Sequence, residues 1–434
     1  MTWTLLHGDC REVLATMDDG SIDAVVTDPP YELGFMGKAW DAAGVAYSGD
    51  LWAEVLRVLK PGGHLLAFGG TRTYHRMAVA IEDAGFEIRD SINWVYGSGF
   101  PKSLDVSKAI DKAAGAEREV VGMVARTGSK GGGKTVHQEG GDKNGKSYVT
   151  APATPEAARW DGWGTALKPA HEPIVVARKP LDGTVAPNVL EYGTGALNID
   201  GCRVGTDGGT TRGSGGGRLS AQGCFTTGHS VDVLDSGRWP ANFVLTHAAD
   251  CGDDCAPGCP VAALDKQSGE GASRFFTVTE WDDAPFRYVA KPSRAERNAG
   301  LGGLPEVHRV NGNKWTDQDY RVARGERPES AETGPRRNIH PTVKPLDLMR
   351  WLVRLVTPPG GVVLDLFAGS GTTLASAILE GFDCVGVEMT DDYLPLIEGR
   401  CTWAEKAARF GPVTGRPRAD ADDTPTLFDV EEAS

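Results

Sequence analysis

Two apolar, strand-like runs each stop abruptly at a loop suited to facing a ligand, and they lie more than three hundred residues apart. The first, Ile22-Asp23-Ala24-Val25-Val26-Thr27, runs into Asp28-Pro29-Pro30-Tyr31, and the second, Val362-Val363-Leu364-Asp365-Leu366, runs into Phe367-Ala368-Gly369-Ser370-Gly371. Short apolar runs bounded by turn residues mark strands buried on both faces, as in parallel sheets. Ligands of such sheets bind at the carboxyl edge. The two loops therefore read as the halves of one active site, and the expected fold is α/β with a doubly wound, mostly parallel sheet.

The chemistry of each loop follows from its residue types. Two prolines hold an extended turn and remove two amide donors, which leaves the Pro29 carbonyl free to accept from a ligand. Asp28 adds a second acceptor beside it. Two adjacent acceptors match a flat amino group conjugated with a ring, and Tyr31 offers a face for that ring to stack on. Taken alone, these four residues also fit a strand-ending turn with a surface tyrosine. In the second loop, Gly369 and Gly371 let the backbone approach a ligand closely, and the amides at the start of the helical pattern from Thr372 to Leu379 face it. A further strand, Asp383-Cys384-Val385-Gly386-Val387-Glu388, ends in an acid twenty-three residues after Asp365. That spacing suits a carboxylate accepting from both hydroxyls of a cofactor ribose.

A glycine loop alone would also fit nicotinamide or flavin enzymes, but this one reads G-S-G-T-T and not G-x-G-x-x-G. Asp28-Pro29-Pro30-Tyr31 coupled to Phe367-Ala368-Gly369-Ser370-Gly371-Thr372-Thr373 closely resembles the DNA amino-methyltransferases, which use S-adenosylmethionine. The Pro-Pro turn first and the cofactor loop last resemble their permuted beta class, and His340-Pro341-Thr342-Val343-Lys344-Pro345 resembles that class's cofactor-side motif. The resemblance implies a Rossmann-like methyltransferase core with circularly permuted motif order and an inserted target-recognition region. It implies catalysis by Asp28, Pro29, Pro30 and Tyr31. S-adenosylmethionine would be held by Phe367, Ala368, Gly369, Ser370, Gly371 and Thr372 with Asp365 and Glu388, and Asp9 and Lys344 are further candidates by resemblance.

A chain of 434 residues suits one large catalytic core with an insertion. The expected division is a catalytic half over 1–118, a Gly/Lys-rich flexible insertion over 119–160, a core strand within 161–182, target recognition over 183–336, the cofactor-binding half over 337–405 and an acidic disordered tail over 406–434. No apolar stretch approaches the roughly 18 residues of a membrane span, and the first residues lack a leader pattern, so a cytoplasmic location without membrane contact is expected. The net charge of −14 is unusual for a partner of nucleic acid. Its distribution matters more: from Lys291 to Lys344 there are eleven basic against seven acidic side chains, while Gly411 to Ser434 holds two against six.

Two further patterns need weighing. Gly128 to Thr135 fits the phosphate-loop pattern G-x-x-x-x-G-K-[ST], but Val136 to Asp142 carries no helical periodicity to bring amides onto a phosphate, so a flexible loop is expected there. His247, Cys251, Cys255 and Cys259 recur at every fourth residue, where one imidazole and three thiolates would complete a tetrahedral structural zinc site. The alternative is free thiols in a loop. Amino methylation needs no metal-bound water, so no catalytic metal is expected.

The expected activity is transfer of a methyl group to the exocyclic N6 of adenine, flipped out of double-stranded DNA, as in restriction-modification. Asp before Pro-Pro-Tyr resembles the adenine enzymes of the permuted class more than the cytosine-N4 enzymes, which tend to carry Ser there. Cytosine-N4 methylation is the alternative of the same class; an RNA methyltransferase and a catalytically idle DNA-binding module are those of other classes. Cytosine C5 methylation is disfavoured, because no Pro-Cys dipeptide supplies a covalent nucleophile. Oligomeric state is left open, a homodimer included.

Overall fold

The computed structural model describes residues 1–33, 44–96, 103–125, 146–203, 210–212, 232–234, 239–245, 259–268, 277–278, 297–304 and 337–409. The chain divides into two compact units, one of residues 1–98, 171–304 and 338–434 and the other of 99–170 and 305–337. In chain order the strands are β1 (Trp3–His7), β2 (Ile22–Thr27), β3 (Leu59–Phe68), β4 (Glu87–Val95), β5 (Val120–Ala125), β6 (Lys146–Thr150), β7 (His171–Arg178), β8 (Thr210–Arg212), β9 (Asp232–Leu234), β10 (Phe243–Leu245), β11 (Thr277–Val278), β12 (Val362–Asp365) and β13 (Asp383–Glu388).

In the larger unit, nine strands among the described residues form one sheet in the order β1-β13-β12-β2-β3-β7-β4-β10-β11. Every neighbouring pair is parallel except those made by β7, which runs antiparallel to both β3 and β4. The carboxyl ends of β2, β12 and β13 therefore share one edge, as the two loop motifs require. Because β7 is reversed, its first residues also reach that edge: Glu172 lies opposite Trp94 at the end of β4, and Ile174 opposite Phe68 at the end of β3.

The sheet is covered on both faces, which is why β2 is buried at every position. Ala24 and Val26 join Leu66, Phe68 and Trp94 in a core with the helices Leu346–Val356, Thr372–Glu380 and Leu394–Arg409. On the opposite face Val25, Leu65 and Ala67 pack with the helix Gly49–Val58. In that helix Leu51, Trp52, Val55 and Val58 recur at helical spacing and are fully buried, and the Ser48 hydroxyl caps the start by accepting from the Leu51 amide at 3.3 Å. At the amino end of β2, buried Asp23 accepts from Lys60 at 2.6 Å and from the Val362 amide at 2.8 Å. One carboxylate thus ties β2, β3 and β12 together.

Two features differ from the sequence reading. The first strand, expected with the part of the core that carries Asp28 to Tyr31, pairs instead with β13. The segment 183–336, expected to serve target recognition, contributes β10 and β11 to the main sheet. Their long-range pairing leaves no local periodicity in so short a run.

The smaller unit holds the β5–β6 hairpin and the helices Val106–Ala113 and Pro155–Arg159. Its centre is Asp111, whose buried carboxylate accepts from Arg118 at 2.6 Å, from the amides of Ala153 and Thr154 at 3.0 Å each and from the Thr154 hydroxyl at 2.8 Å. Burial opposes its charge, but these donors hold its pKa below the usual carboxylate range. The phosphate-loop look-alike at Gly128 to Thr135 and the tail beyond 409 lie outside the described residues.

Candidate active site

The Asp28-Pro29-Pro30-Tyr31 turn sits at the carboxyl end of β2. The Oδ2 atom of Asp28 accepts from Lys344 Nζ at 2.6 Å, while Oδ1 is buried and has no hydrogen-bond partner among the described residues. Burial pushes the Asp28 carboxyl up, and the Lys344 ammonium offsets part of that rise. Tyr31 packs against Gly70, and its backbone carbonyl accepts from Thr73 Oγ1 at 2.9 Å. The Tyr31 hydroxyl donates to Glu172 Oε2 at 2.8 Å and accepts from Lys344 Nζ at 3.1 Å.

Lys344 is therefore placed against the Asp-Pro-Pro-Tyr turn, whereas the resemblance groups it with the cofactor residues. Its Nζ also lies 3.4 Å from Glu172 Oε2 and 4.8 Å from the centre of the Phe68 ring. Burial would lower its pKa, but the charges of Asp28 and Glu172 outweigh burial and raise it. Glu172 itself carries no motif. The only signal in the sequence was a lone acid at the head of an otherwise apolar strand, Pro173 to Ala177, where the usual expectation is a solvated strand end.

The glycine loop sits at the carboxyl end of β12. Gly369 and Gly371 have φ of +51° and +73°, and a Cβ on Gly371 would stand 3.0 Å from the Ile397 backbone, so only glycine fits without strain. The Gly369 amide donates to Glu388 Oε2 at 2.8 Å and the Thr390 amide to Oε1 at 2.7 Å. Each oxygen keeps a further lone pair. Arg400, fully buried and absent from the sequence reading, donates to the Ser370 carbonyl at 3.3 Å and to Thr372 Oγ1 at 3.1 Å.

His340 lies over the same loop, with Nε2 2.8 Å from where a Gly369 Cβ would be. Burial lowers its pKa to about 3, so the ring is neutral. Nδ1 then donates to the Thr342 carbonyl at 2.7 Å and Nε2 is the bare acceptor. Arg297 donates to the His340 carbonyl at 2.7 Å.

Asp365 lies beneath the loop at 2 % exposure. Its Oδ1 accepts from the Thr27 hydroxyl at 2.7 Å and the Phe367 amide at 3.1 Å, so it joins the ends of β2 and β12. Burial raises its pKa to about 6. Asp9 follows β1 on the same edge, where the Gly8 amide donates to the Glu388 carbonyl at 3.0 Å. Its carboxylate is engaged by Arg11, at 2.9 Å to both the amide and Nε, which holds its pKa below the usual range.

The zinc expectation finds no support. His247, Cys251 and Cys255 lie outside the described residues. Cys259 is buried in an apolar cluster with Val261, Phe243 and Leu264, and among the described residues no group of three or more His, Cys, Asp or Glu side chains is placed to hold a metal ion. An apolar setting disfavours the thiolate that zinc needs. No helix among the described residues is long and apolar enough to cross a membrane.

A mostly parallel sheet carrying an acceptor turn on one strand and a glycine loop with a strand-end acid on the next two defines a doubly wound α/β protein. The chain belongs to the N6/N4 methyltransferase family, described as DNA methylase, whose family model matches residues 22–399. Curated relatives include the type II methyltransferase M.HindIII of Haemophilus influenzae, 26% identical over 34% of this chain and 37% of its own length. The type II methyltransferase M.ScaI of Streptomyces caespitosus is 39% identical over 15% of this chain and 21% of its own. The DNA adenine methyltransferase YhdJ of Escherichia coli is 42% identical over 13% of this chain and 19% of its own. The chain thus aligns with about a fifth to two fifths of the length of these relatives. Among solved structures, the cytosine-N4-specific PvuII DNA methyltransferase matches with a TM-score of 0.40 at 13% identity, over 100% of this chain and 91% of that one.

Proposed function

We propose that this chain transfers a methyl group from S-adenosylmethionine to the exocyclic N6 of adenine in double-stranded DNA. The observation that carries the reading is the state of Asp28: one carboxylate oxygen is held by Lys344, and the other is a buried acceptor without a donor among the described residues. A buried acceptor left unpaired costs about 1–3 kcal/mol, which an incoming N–H donor relieves. The Asp before Pro-Pro-Tyr supports adenine over cytosine.

The residues present fit the cofactor. The Glu388 carboxylate keeps lone pairs for ribose hydroxyls, and His340 Nε2 is an acceptor over the loop. When bound, S-adenosylmethionine supplies the electrophilic sulfonium methyl. The chain's own task is to make a poor nucleophile better and to hold it in line. Asp28 Oδ1 and the Pro29 carbonyl accept the two amino protons, which concentrates the lone pair on nitrogen. Tyr31 stacks on the base, and the Lys344 ammonium favours the charged form of Asp28 against burial. Asp28 is then placed to take the proton that the methylated amine sheds.

The test is transfer of labelled methyl from S-adenosylmethionine to unmethylated duplex DNA by the wild type and by Asp28→Ala. The wild type labels DNA, and Asp28→Ala loses about a hundredfold or more in rate with cofactor binding retained. Near-normal turnover by Asp28→Ala contradicts the role given to Asp28.

A further inference from the structure

Beside the catalytic turn stands a second carboxylate that the mechanism does not use. Glu172 reaches the site only because β7 runs against its neighbours, which brings its head to the edge where the other strands end. Its Oε2 accepts the Tyr31 hydroxyl at 2.8 Å and lies 3.4 Å from Lys344 Nζ, and its Oε1 accepts the Tyr96 hydroxyl at 3.3 Å.

Donor bookkeeping shows what this arrangement achieves. The Tyr31 hydroxyl has one proton, given to Glu172 at 2.8 Å, and Lys344 Nζ, 3.1 Å from that hydroxyl and 2.6 Å from Asp28 Oδ2, brings the Asp28 carboxylate in beside it as a second acceptor. If that proton turned to Asp28, it would occupy an acceptor that the amino group of the substrate base needs. With the proton on Glu172, the phenol oxygen presents its lone pairs to Lys344, and Lys344 in turn binds Asp28 through Oδ2 alone. The phenol is held neutral, because burial first and then the two carboxylates keep its pKa high. The direction of the Tyr31–Glu172 hydrogen bond is thereby fixed.

Resting on the function proposed above, we infer that Glu172 is a positioning residue that draws the Tyr31 hydroxyl proton away from Asp28 and so keeps Asp28 Oδ1 open to the amino group of the target base. Glu172 touches neither the base nor the cofactor. It acts through Tyr31 and Lys344, and Tyr96 steadies its other oxygen.

The experiment measures single-turnover methyl transfer at saturating duplex DNA and S-adenosylmethionine, with cofactor affinity in parallel, for the wild type, Glu172→Leu, Tyr31→Phe and the double variant. Glu172→Leu should transfer at least about tenfold more slowly with cofactor affinity within about twofold of wild type. The double variant should be faster than Glu172→Leu alone, because no phenol proton remains to occupy Asp28. Wild-type rate in Glu172→Leu overturns the inference, as does a double variant whose loss is the product of the two single losses. If Glu172→Leu fails to fold, Glu172→Gln and its combination with Tyr31→Phe carry the same comparison. A wild type that transfers nothing overturns the proposed function and this inference with it, whereas wild-type transfer beside an unimpaired Glu172 variant overturns the inference alone.

Discussion

The Lys344 ammonium lies 2.6 Å from Asp28 Oδ2, although 316 residues separate the two in the chain. The contact joins the turn at the end of β2 to the segment that leads into the helix Leu346–Val356 and β12. Lys344 is almost wholly buried, and its three N–H donors face Asp28, Tyr31 and Glu172.

Lys344→Met leaves two carboxylates, Asp28 and Glu172, in a buried site without their cation. Removing one partner of a buried ion pair costs about 3–5 kcal/mol, and urea unfolding should register a loss of that size near neutral pH. Without the ammonium the Asp28 carboxyl, already pushed up by burial, rises further in the folded state, so folding favours its protonated form. The deficit should therefore be smaller at pH 5 than at pH 8. A deficit independent of pH would contradict the ion-pair account.

Asp365 gives a second pH-dependent signature. Its folded-state pKa of about 6 stands above 3.8, the ordinary value. A raised carboxyl contributes stability that is fully present below the ordinary value and is lost as pH rises through about 6. Asp365→Asn has no charge to bury, so its stability relative to wild type should improve by roughly 2 kcal/mol between pH 4 and pH 7.5. Parallel denaturation curves for the two proteins at both pH values check this; a constant difference would mean that Asp365 is solvated.

Gly371 adopts a left-handed backbone, and an added Cβ meets the Ile397 backbone at 3.0 Å. Gly371→Ala should strain the loop by about 1–2 kcal/mol or more and lower affinity for S-adenosylmethionine about tenfold. Calorimetric titration with the cofactor measures it, and unchanged affinity would remove this loop from the cofactor site.

The parts legible in the sequence were those whose signal is local. Asp28 to Tyr31 and Phe367 to Gly371 announce themselves because apolar strands stop at loops of unusual composition, and the periodic helix that packs Leu51, Trp52, Val55 and Val58 into the core is visible in the same way. The position of β1 beside β13 was not legible, since a five-residue edge strand carries no record of its partner. Glu172 stayed hidden for a topological reason. Its importance depends on β7 running backwards, and strand direction is set by pairing to β3 and β4, not by the residues of β7 alone. Arg400 was missed for a similar reason: on a terminal helix a lone arginine reads as surface, yet packing buries it against the glycine loop.

The most direct test of the central claim is to incubate the purified protein with methyl-labelled S-adenosylmethionine and unmethylated bacterial DNA, digest to nucleosides and identify the labelled one by mass spectrometry. The account predicts N6-methyladenine, absent from the Asp28→Ala control. Labelled N4-methylcytosine would contradict the choice of base, and an unlabelled digest would contradict the proposed activity.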